Sequence, residues 1–427
     1  MNIPTRWLKC WLLAGVIILG MGVTDGHALE KIKVLVFTGG HDFHPSFFSI
    51  FDHADIEYKY VEHPKANQVF TNGEAMKFDV IVLYDLWQDI TKEQKQGLLK
   101  YLQSGKGLVS LHHSIANYQA WDEYIDITGT SYVTDAKGRT IRGKEYPQSQ
   151  YKHDQLMNIQ IADEDHPITK GLSDFKIYDE TYKGYYCTPD IHLLLTTNHK
   201  LNDKTIAWTK KYKNNEIVYL QLGHGKEAFA NPTFRHLVAQ SIRWTAKRPT
   251  AQPLITSNGL SDFTTEGNAV WKVEDGILSG RQGANMAPGD LFTKQSYADF
   301  TLNLEFKVQW PANSGVWFRY QNAQIAYQAD ILEYKNPLCW SGSLYCPKNG
   351  PFIAMNKDAS LIDKKDWNNF VITCKGDNSV IILNGKKVAD VNDVTSDKGK
   401  LGLQVHAGDE FQNMSIEIRN AFVLPLE

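Results

Sequence analysis

Histidines collect where apolar runs of this sequence end. KIKVLVFTGG leads into Gly39, Gly40, His41, Asp42, Phe43 and His44; KGLVSLHHS carries His112, His113 and Ser114; NEIVYLQLGHG carries His224. Imidazole titrates near neutral pH and is a common metal ligand. Bringing His41, His44, His112, His113 and His224 into one cleft would therefore suit proton transfer or metal ligation. A divalent metal is one reading, although no fixed spacing such as HExxH singles it out. Loop histidines satisfied by ordinary hydrogen bonds are the other.

A second set lies in the last third of the chain, where apolar and polar residues alternate. In NSGVWFRY, Val316 and Phe318 point one way and Trp317 and Arg319 the other. In AYQADILEY, Ala329 and Ile331 take the apolar side and leave Gln328 and Asp330 opposite. In LGLQVHAGDEF, Leu401, Leu403 and Val405 face a core while Gln404 and His406 face away. A solvated face would carry Lys, Glu, Thr and Ser. Trp, Arg, Gln, Asp, Gln and His instead resemble a surface on which planar amides and carboxylates meet sugar hydroxyls. Glu333 is three residues from Asp330, so it joins that face only if the strand ends or bulges near Leu332.

The elements that must position these residues are legible. The runs KIKVLVFTGG, FDVIVLYD, KGLVSLHHS and NEIVYLQLGHG read as buried parallel strands. Between the second and third, Thr91 and Gln94 form a capping box, Leu98, Leu99 and Leu102 an apolar stripe, and Gly105 a C-terminal stop. Asn231 and Pro232 open a second helix, with Phe234, Leu237, Val238 and Ile242 inward. Strands alternating with helices predict an α/β domain over residues 31–248, a doubly wound parallel sheet with its ligand site beyond the strands' carboxyl ends. A linker follows at 249–255. Residues 256–427 lose the helical period: DFTLNLEFKVQW alternates and Asn384-Gly385 marks a hairpin, which predicts an all-β sandwich.

Bulk properties bound the function. At 427 residues the chain is too long for one ordinary core. A net charge of −3 without a basic run speaks against nucleic acid. Eleven Trp and 20 Tyr suit sugar platforms or, equally, aromatic β cores. Arg6 and Lys9 precede a short apolar run ending at Val23, and Gly26-His27-Ala28 offers a cleavage site. Residues 1–28 thus read as a signal peptide, with an uncleaved anchor as the alternative. The expected product is periplasmic or extracellular, without a membrane span after cleavage. There, Cys339 and Cys346, which flank a loop, could pair.

GGHDFH, GKGLVSLHHS, DHPITKGLSDF, DETY at 179–182 and LGHGKEAFANP together resemble the trehalose-utilisation (ThuA-like) family, which has the flavodoxin-like fold of class I glutamine amidotransferases. Those amidotransferases carry a nucleophilic cysteine in the turn after the third strand. Here the turn reads LHHS, and an imidazole cannot form their thioester. The resemblance implies a role in handling disaccharides. NSGVWFR, YQADILEY, the stretch from Trp367 to Val388 and LGLQVHAGDEFQNMSIEIRN resemble the 3-keto-disaccharide hydrolase domain, a concanavalin-like jelly roll related to lectins and glucanases.

That second resemblance implies a small carbohydrate or glycoside substrate. A ketone at C3 acidifies the C2 hydrogen, so a base can start elimination of the C1 oxygen, and water then adds back. On this reading Asp330 or His406 is the base, Glu333 or His406 the proton donor, and Arg319 (or a metal in its place) the enolate stabiliser. Trp317, Tyr327, Gln328 and Gln404 would orient the sugar. Direct two-carboxylate hydrolysis and a non-catalytic glycan-binding sandwich are the competing readings.

Overall fold

The computed structural model describes residues 30–426, so the signal segment expected at 1–28 lies outside the described residues. The first strand, β1 (Ile32–Gly39), is apolar on both faces and buried nearly throughout. It is hydrogen-bonded in parallel to β2 (Ile56–Glu62) and β3 (Val80–Asp85), and β3 in turn to β4 (Gly107–Leu111). Helix α1 (Lys92–Gln103) links β3 to β4 and opens on the expected capping box. The Gln94 amide donates to Thr91 Oγ1 (3.3 Å), and the Gln94 side chain accepts from the Thr91 amide (2.9 Å). Leu98, Tyr101 and Leu102 are buried, and Leu99 only partly.

The sheet continues through β5 (Gln150–Ile161), β6 (Phe175–Lys183), β7 (His192–Thr197), β8 (Thr205–Tyr212) and β9 (Asn215–Leu220), in the spatial order β2-β1-β3-β4-β9-β8-β7-β5-β6. The pairing of β4 with β9 is parallel, while the four strands beyond β9 are antiparallel. The sheet is therefore mixed, not wholly parallel as expected. Helix α2 (Pro232–Thr245) starts with the Asn231 side chain accepting from the Phe234 amide (3.0 Å) and buries Phe234, Leu237, Val238 and Ile242 against one face. Helix α1 covers the other face. With both faces covered, the open end beyond β1, β4 and β9 is left for ligands.

The second half is two antiparallel sheets around one core. One runs β10 (Phe263–Gly267), β11 (Gly289–Tyr297), β12 (Asn313–Asn322), β13 (Ile325–Lys335), β14 (Leu338–Tyr345), β15 (Phe352–Asn356) and β16 (Gly399–Val405), with the spatial order β10-β11-β16-β12-β13-β14-β15. The other is built mainly on Phe300–Val308, Asn368–Lys375 and Ser415–Pro425. Leu302, Leu304, Phe306 and Val308 from the second sheet meet Val316, Phe318, Ala329, Ile331, Leu403 and Val405 from the first. Asn384 and Gly385 both have positive φ (47° and 80°), as a tight type I′ hairpin requires.

The two halves are packed together. Phe422, Leu424 and Leu426 belong to the core of the first half, and the Phe422 ring stacks on His236 with centroids 3.9 Å apart. Gln252 and Pro253, inside the expected linker, pair with Val423 and Phe422. Cys187, Cys339, Cys346 and Cys374 are all unpaired thiols, so Cys339 and Cys346 do not form a disulfide.

Candidate functional site

At the end of β4 the chain turns sharply. Leu111 is extended, but His112 adopts φ 50°, a conformation that costs a side-chain-bearing residue energy and persists only where its surroundings fix it. The Tyr219 hydroxyl donates to the His112 carbonyl (2.9 Å), and the His112 Nδ1–H donates to the Gln221 carbonyl (2.6 Å). That second bond leaves the lone pair of the neutral ring on Nε2. His112 Nε2 lies 3.1 Å from His224 Nδ1, 3.1 Å from the Tyr182 hydroxyl and 3.2 Å from Glu180 Oε2.

His41, His113 and His224 gather around this point. Ring centroids are 4.9 Å apart for His41 and His113, 5.0 Å for His112 and His113, and 5.4 Å for His41 and His224. His44 does not join them. It is exposed at the start of the short helix Pro45–Phe51, where its ring accepts from the Ser46 amide (3.2 Å). Pro45 begins that helix, and His44 caps it from the exposed side.

Three contributors were not anticipated. Glu180 and Asp179 come from β6, and His153 from β5, strands at the far end of the sheet's pairing order. Asp179 ties β6 to the loop after β9 by accepting from the amides of Gly223 (2.7 Å) and His224 (2.9 Å). Glu180 Oε1 is 2.9 Å from His153 Nδ1. The DETY motif at 179–182 was the available signal, since two acids in a buried strand need partners.

Burial lowers His112, but the Glu180 carboxylate beside it outweighs burial and raises it. Glu180 responds in kind: burial pushes it up, and the bond to His112 brings it below its ordinary value. Burial holds His113 well below the usual histidine range, with His112 and His41 adding to the effect, and pushes His224 down to about 4. The cleft thus gathers imidazoles around one carboxylate, with His112 raised and His113 and His224 lowered. A cavity of about 200 Å³ adjoins it, lined by His41, His113, His153, Glu180, Tyr132 and Tyr182 among others.

The sandwich presents a different arrangement. Register places Glu266, Asp290, Gln404, Gly315 and Asp330 in one row across β10, β11, β16, β12 and β13. The next row on the same face holds Phe292, Gly402, Trp317, Gln328 and Tyr345. Two glycines shape it: a Cβ on Gly402 would lie 2.4 Å from the Phe292 ring, and one on Gly315 2.6 Å from the Gln328 side chain. The Trp317 indole N–H donates to Asp290 Oδ1 (2.8 Å), and the Tyr320 hydroxyl donates to Glu266 (2.9 Å). Burial pushes Asp290 up to about 6; the Trp317 bond and His406 oppose this, and Glu266 adds to it. Asp330, 3% exposed, is raised well above the carboxylate range by burial.

Trp317, Gln328, Asp330 and Gln404 therefore share the face away from the core. His406 lies just past the end of β16, half-buried, with its Nδ1–H donating to the Ala407 carbonyl (2.6 Å). Three residues named from the sequence lie elsewhere. Arg319 is 1% exposed and points inward, because β12 shifts register after Phe318 and Arg319 takes φ 48°. Its guanidinium donates to the carbonyls of Ala298, Gly376 and Ser396 and pairs with Asp299 at 3.0 Å. Tyr327 belongs to the core and donates its hydroxyl to Asp393 (2.6 Å). Glu333 stays opposite Asp330, because β13 runs unbroken to Lys335; it is exposed and paired with Lys364. Asp290, opposite Gln404, is an acid on this face beyond those expected from the sequence.

Asp290 and Asp330 stand three strand spacings apart, roughly 14 Å. Direct glycosidases need carboxylates about 5–9.5 Å apart, so these two cannot act on one bond in that way. A larger concavity, about 1020 Å³, lies between the two halves and is lined by Lys176, His199, Glu305, Trp367 and Arg419 among others. There Arg419 is paired to Glu305 and set 4.1 Å over the Trp367 ring.

Residues 33–245 match the family described as "Trehalose utilisation", and residues 250–423 match the "3-keto-alpha-glucoside-1,2-lyase-like domain". Each half of the chain thus matches a different family. The trehalose-utilisation domain carries the histidine cleft, and the lyase-like domain carries the acidic sheet face. Among solved structures, a ThuA-like protein of Parabacteroides merdae is 20% identical, with 53% of this chain and 94% of that one covered and a TM-score of 0.45. A glycosyl-hydrolase-like protein of Parabacteroides distasonis is 22% identical, covering 41% and 99%, with a TM-score of 0.32. The carbohydrate-binding module CBM66 of Bacillus subtilis is 20% identical, covering 40% and 98%, with a TM-score of 0.31. No curated protein matches the chain. The family matches make this a carbohydrate-related protein. Among the described residues, no helix is long and apolar enough to cross a membrane.

Proposed function

We propose that the lyase-like domain cleaves glycosides already oxidised to a ketone at C3, by elimination, on the outer face of the β10–β16 sheet. Asp290 is the base. It removes the C2 proton, and the electron pair of that C–H bond passes to the C3 oxygen as an enolate. Collapse of the enolate breaks the C1–O bond, and the departing oxygen takes a proton from His406. Water then adds across the new double bond, giving net hydrolysis. With Arg319 buried, the Gln404 amide is the donor left to steady the enolate, while Trp317 and Gln328 orient the ring. Residues 1–28 would direct the protein out of the cytoplasm to meet such a sugar.

One observation carries this reading: Asp290, held by the Trp317 indole, has a value near 6, so it is ionised at neutral pH yet more basic than an ordinary aspartate. Its test supplies the purified protein with a 3-keto disaccharide and with the unoxidised parent sugar, and follows monosaccharide release. Release from the keto compound alone, lost in Asp290→Asn, supports elimination. Equal release from both points to ordinary hydrolysis. The cluster of Phe292, Trp317, Tyr320 and Tyr345 favours a second reading, a glycan-binding platform, which would give binding without turnover.

A further inference from the structure

In the trehalose-utilisation domain, the geometry points to a site for a divalent zinc-class metal held by His112 Nε2, Glu180 Oε2 and His224 Nδ1. The three atoms form a nearly equilateral triangle with edges of 3.1, 3.2 and 3.5 Å. Metal–nitrogen and metal–oxygen bonds of about 2.0–2.2 Å in tetrahedral array put neighbouring ligand atoms roughly 3.3–3.5 Å apart. The triangle is therefore one face of a zinc tetrahedron, and the three side chains are the only His, Cys, Asp and Glu among the described residues grouped closely enough to be ligands together. Two histidines with one glutamate leave the fourth position open, as in catalytic rather than structural zinc sites.

The surroundings fit the same conclusion. The Gln221 carbonyl takes the Nδ1–H of His112 at 2.6 Å, the outer bond that fixes a ligand histidine with its other nitrogen free to coordinate. His153 holds the second oxygen of Glu180 at 2.9 Å, leaving Oε2 to the centre. Asp179 fixes the loop that carries His224. Glu180, Tyr182, His41 and His153 also line the 200 Å³ cavity, so the fourth position is reached from there. That volume is below the roughly 300–1,000 Å³ of drug-sized pockets and suits one small oxygen-donor ligand, such as the hydroxyl or ketone oxygen of a single sugar ring.

The test loads full-length protein, stripped with a chelator, with zinc(II) or cobalt(II) and measures retained metal after dialysis. One zinc per chain is expected, with the intense visible bands of low-coordinate cobalt(II) and no thiolate charge-transfer band. Glu180→Gln and His224→Ala should each weaken zinc affinity by roughly 100-fold or more, beyond the 10- to 100-fold of an outer-shell change. His44→Ala should leave it unchanged. His224 is half-buried, so its variant is expected to keep the wild-type circular dichroism and be read directly. Failure of the stripped wild type to retain zinc, wild-type affinity in His224→Ala, or a thiolate band would each overturn the assignment. Keto-sugar cleavage is scored separately and through Asp290, so either result stands without the other.

Discussion

The histidine cleft and the sandwich face assemble their groups in opposite ways. In the cleft, His41, His112, His153, Glu180 and His224 arrive from five separate elements and gather at one place. On the sandwich, a single sheet register sets Glu266, Asp290, Gln404 and Asp330 in a line, with spacing dictated by the strands. A point suits an ion; a line suits an extended ligand such as a disaccharide. Convergence also lets carboxylate and imidazole neutralise each other, whereas in the row burial raises Asp290 and Asp330.

The largest expected effect tests the row. Asp290→Asn should lower kcat/KM on a 3-keto disaccharide by about 10²–10⁴-fold, the usual contribution of a general base. Wild-type kcat/KM should rise as pH passes through about 6, since the base must be ionised, and the residual activity of Asp290→Asn should lack that limb.

Next comes Arg319, which is buried in the interior. Arg319→Met should cost about 1–3 kcal/mol by leaving three carbonyls without the buried guanidinium that donates to them, which chemical denaturation would measure. A variant as stable as wild type would return Arg319 to the list of candidate catalytic groups.

Asp290→Asn should also stabilise the protein, by about 1–2 kcal/mol after allowance for screening of a partly exposed carboxyl. The sign follows from a folded value, about 6, above the ordinary 3.8. Ionisation is then penalised by folding, a penalty absent below pH 3.8 and complete once pH passes 6. The variant's advantage should therefore appear at pH 7–8 and vanish near pH 3.5. Smallest of all, Glu333→Gln should change stability by no more than about 0.5 kcal/mol and leave turnover alone, since the side chain is exposed and pairs with the exposed Lys364.

Much of this was legible in the residues. Apolar runs located β1, β3, β4 and β9, the capping box located α1, and two-residue alternation separated Trp317, Gln328, Asp330 and Gln404 from the core. Tyr327 was legible too, because it precedes Ala329 by two and so shares its buried face. Arg319 was not: a bulge after Phe318 depends on what the neighbouring strand can pair with, and local sequence does not encode that. Asp290 alternates with Leu291 and could have been placed outside. Its position beside Gln404 needed the register of strands more than a hundred residues apart. Glu180 and His153 were hidden for the same reason, since strands at one end of the sheet supply a cleft beyond its middle.

Proton removal from C2 by Asp290 is the claim on which the functional account stands. The direct measurement is cleavage of a 3-keto disaccharide in deuterated water, with the released keto sugar examined at C2. The account predicts solvent deuterium at C2 of the product and almost no product from Asp290→Asn. Product that keeps its original C2 hydrogen, formed equally fast by the variant, would contradict it.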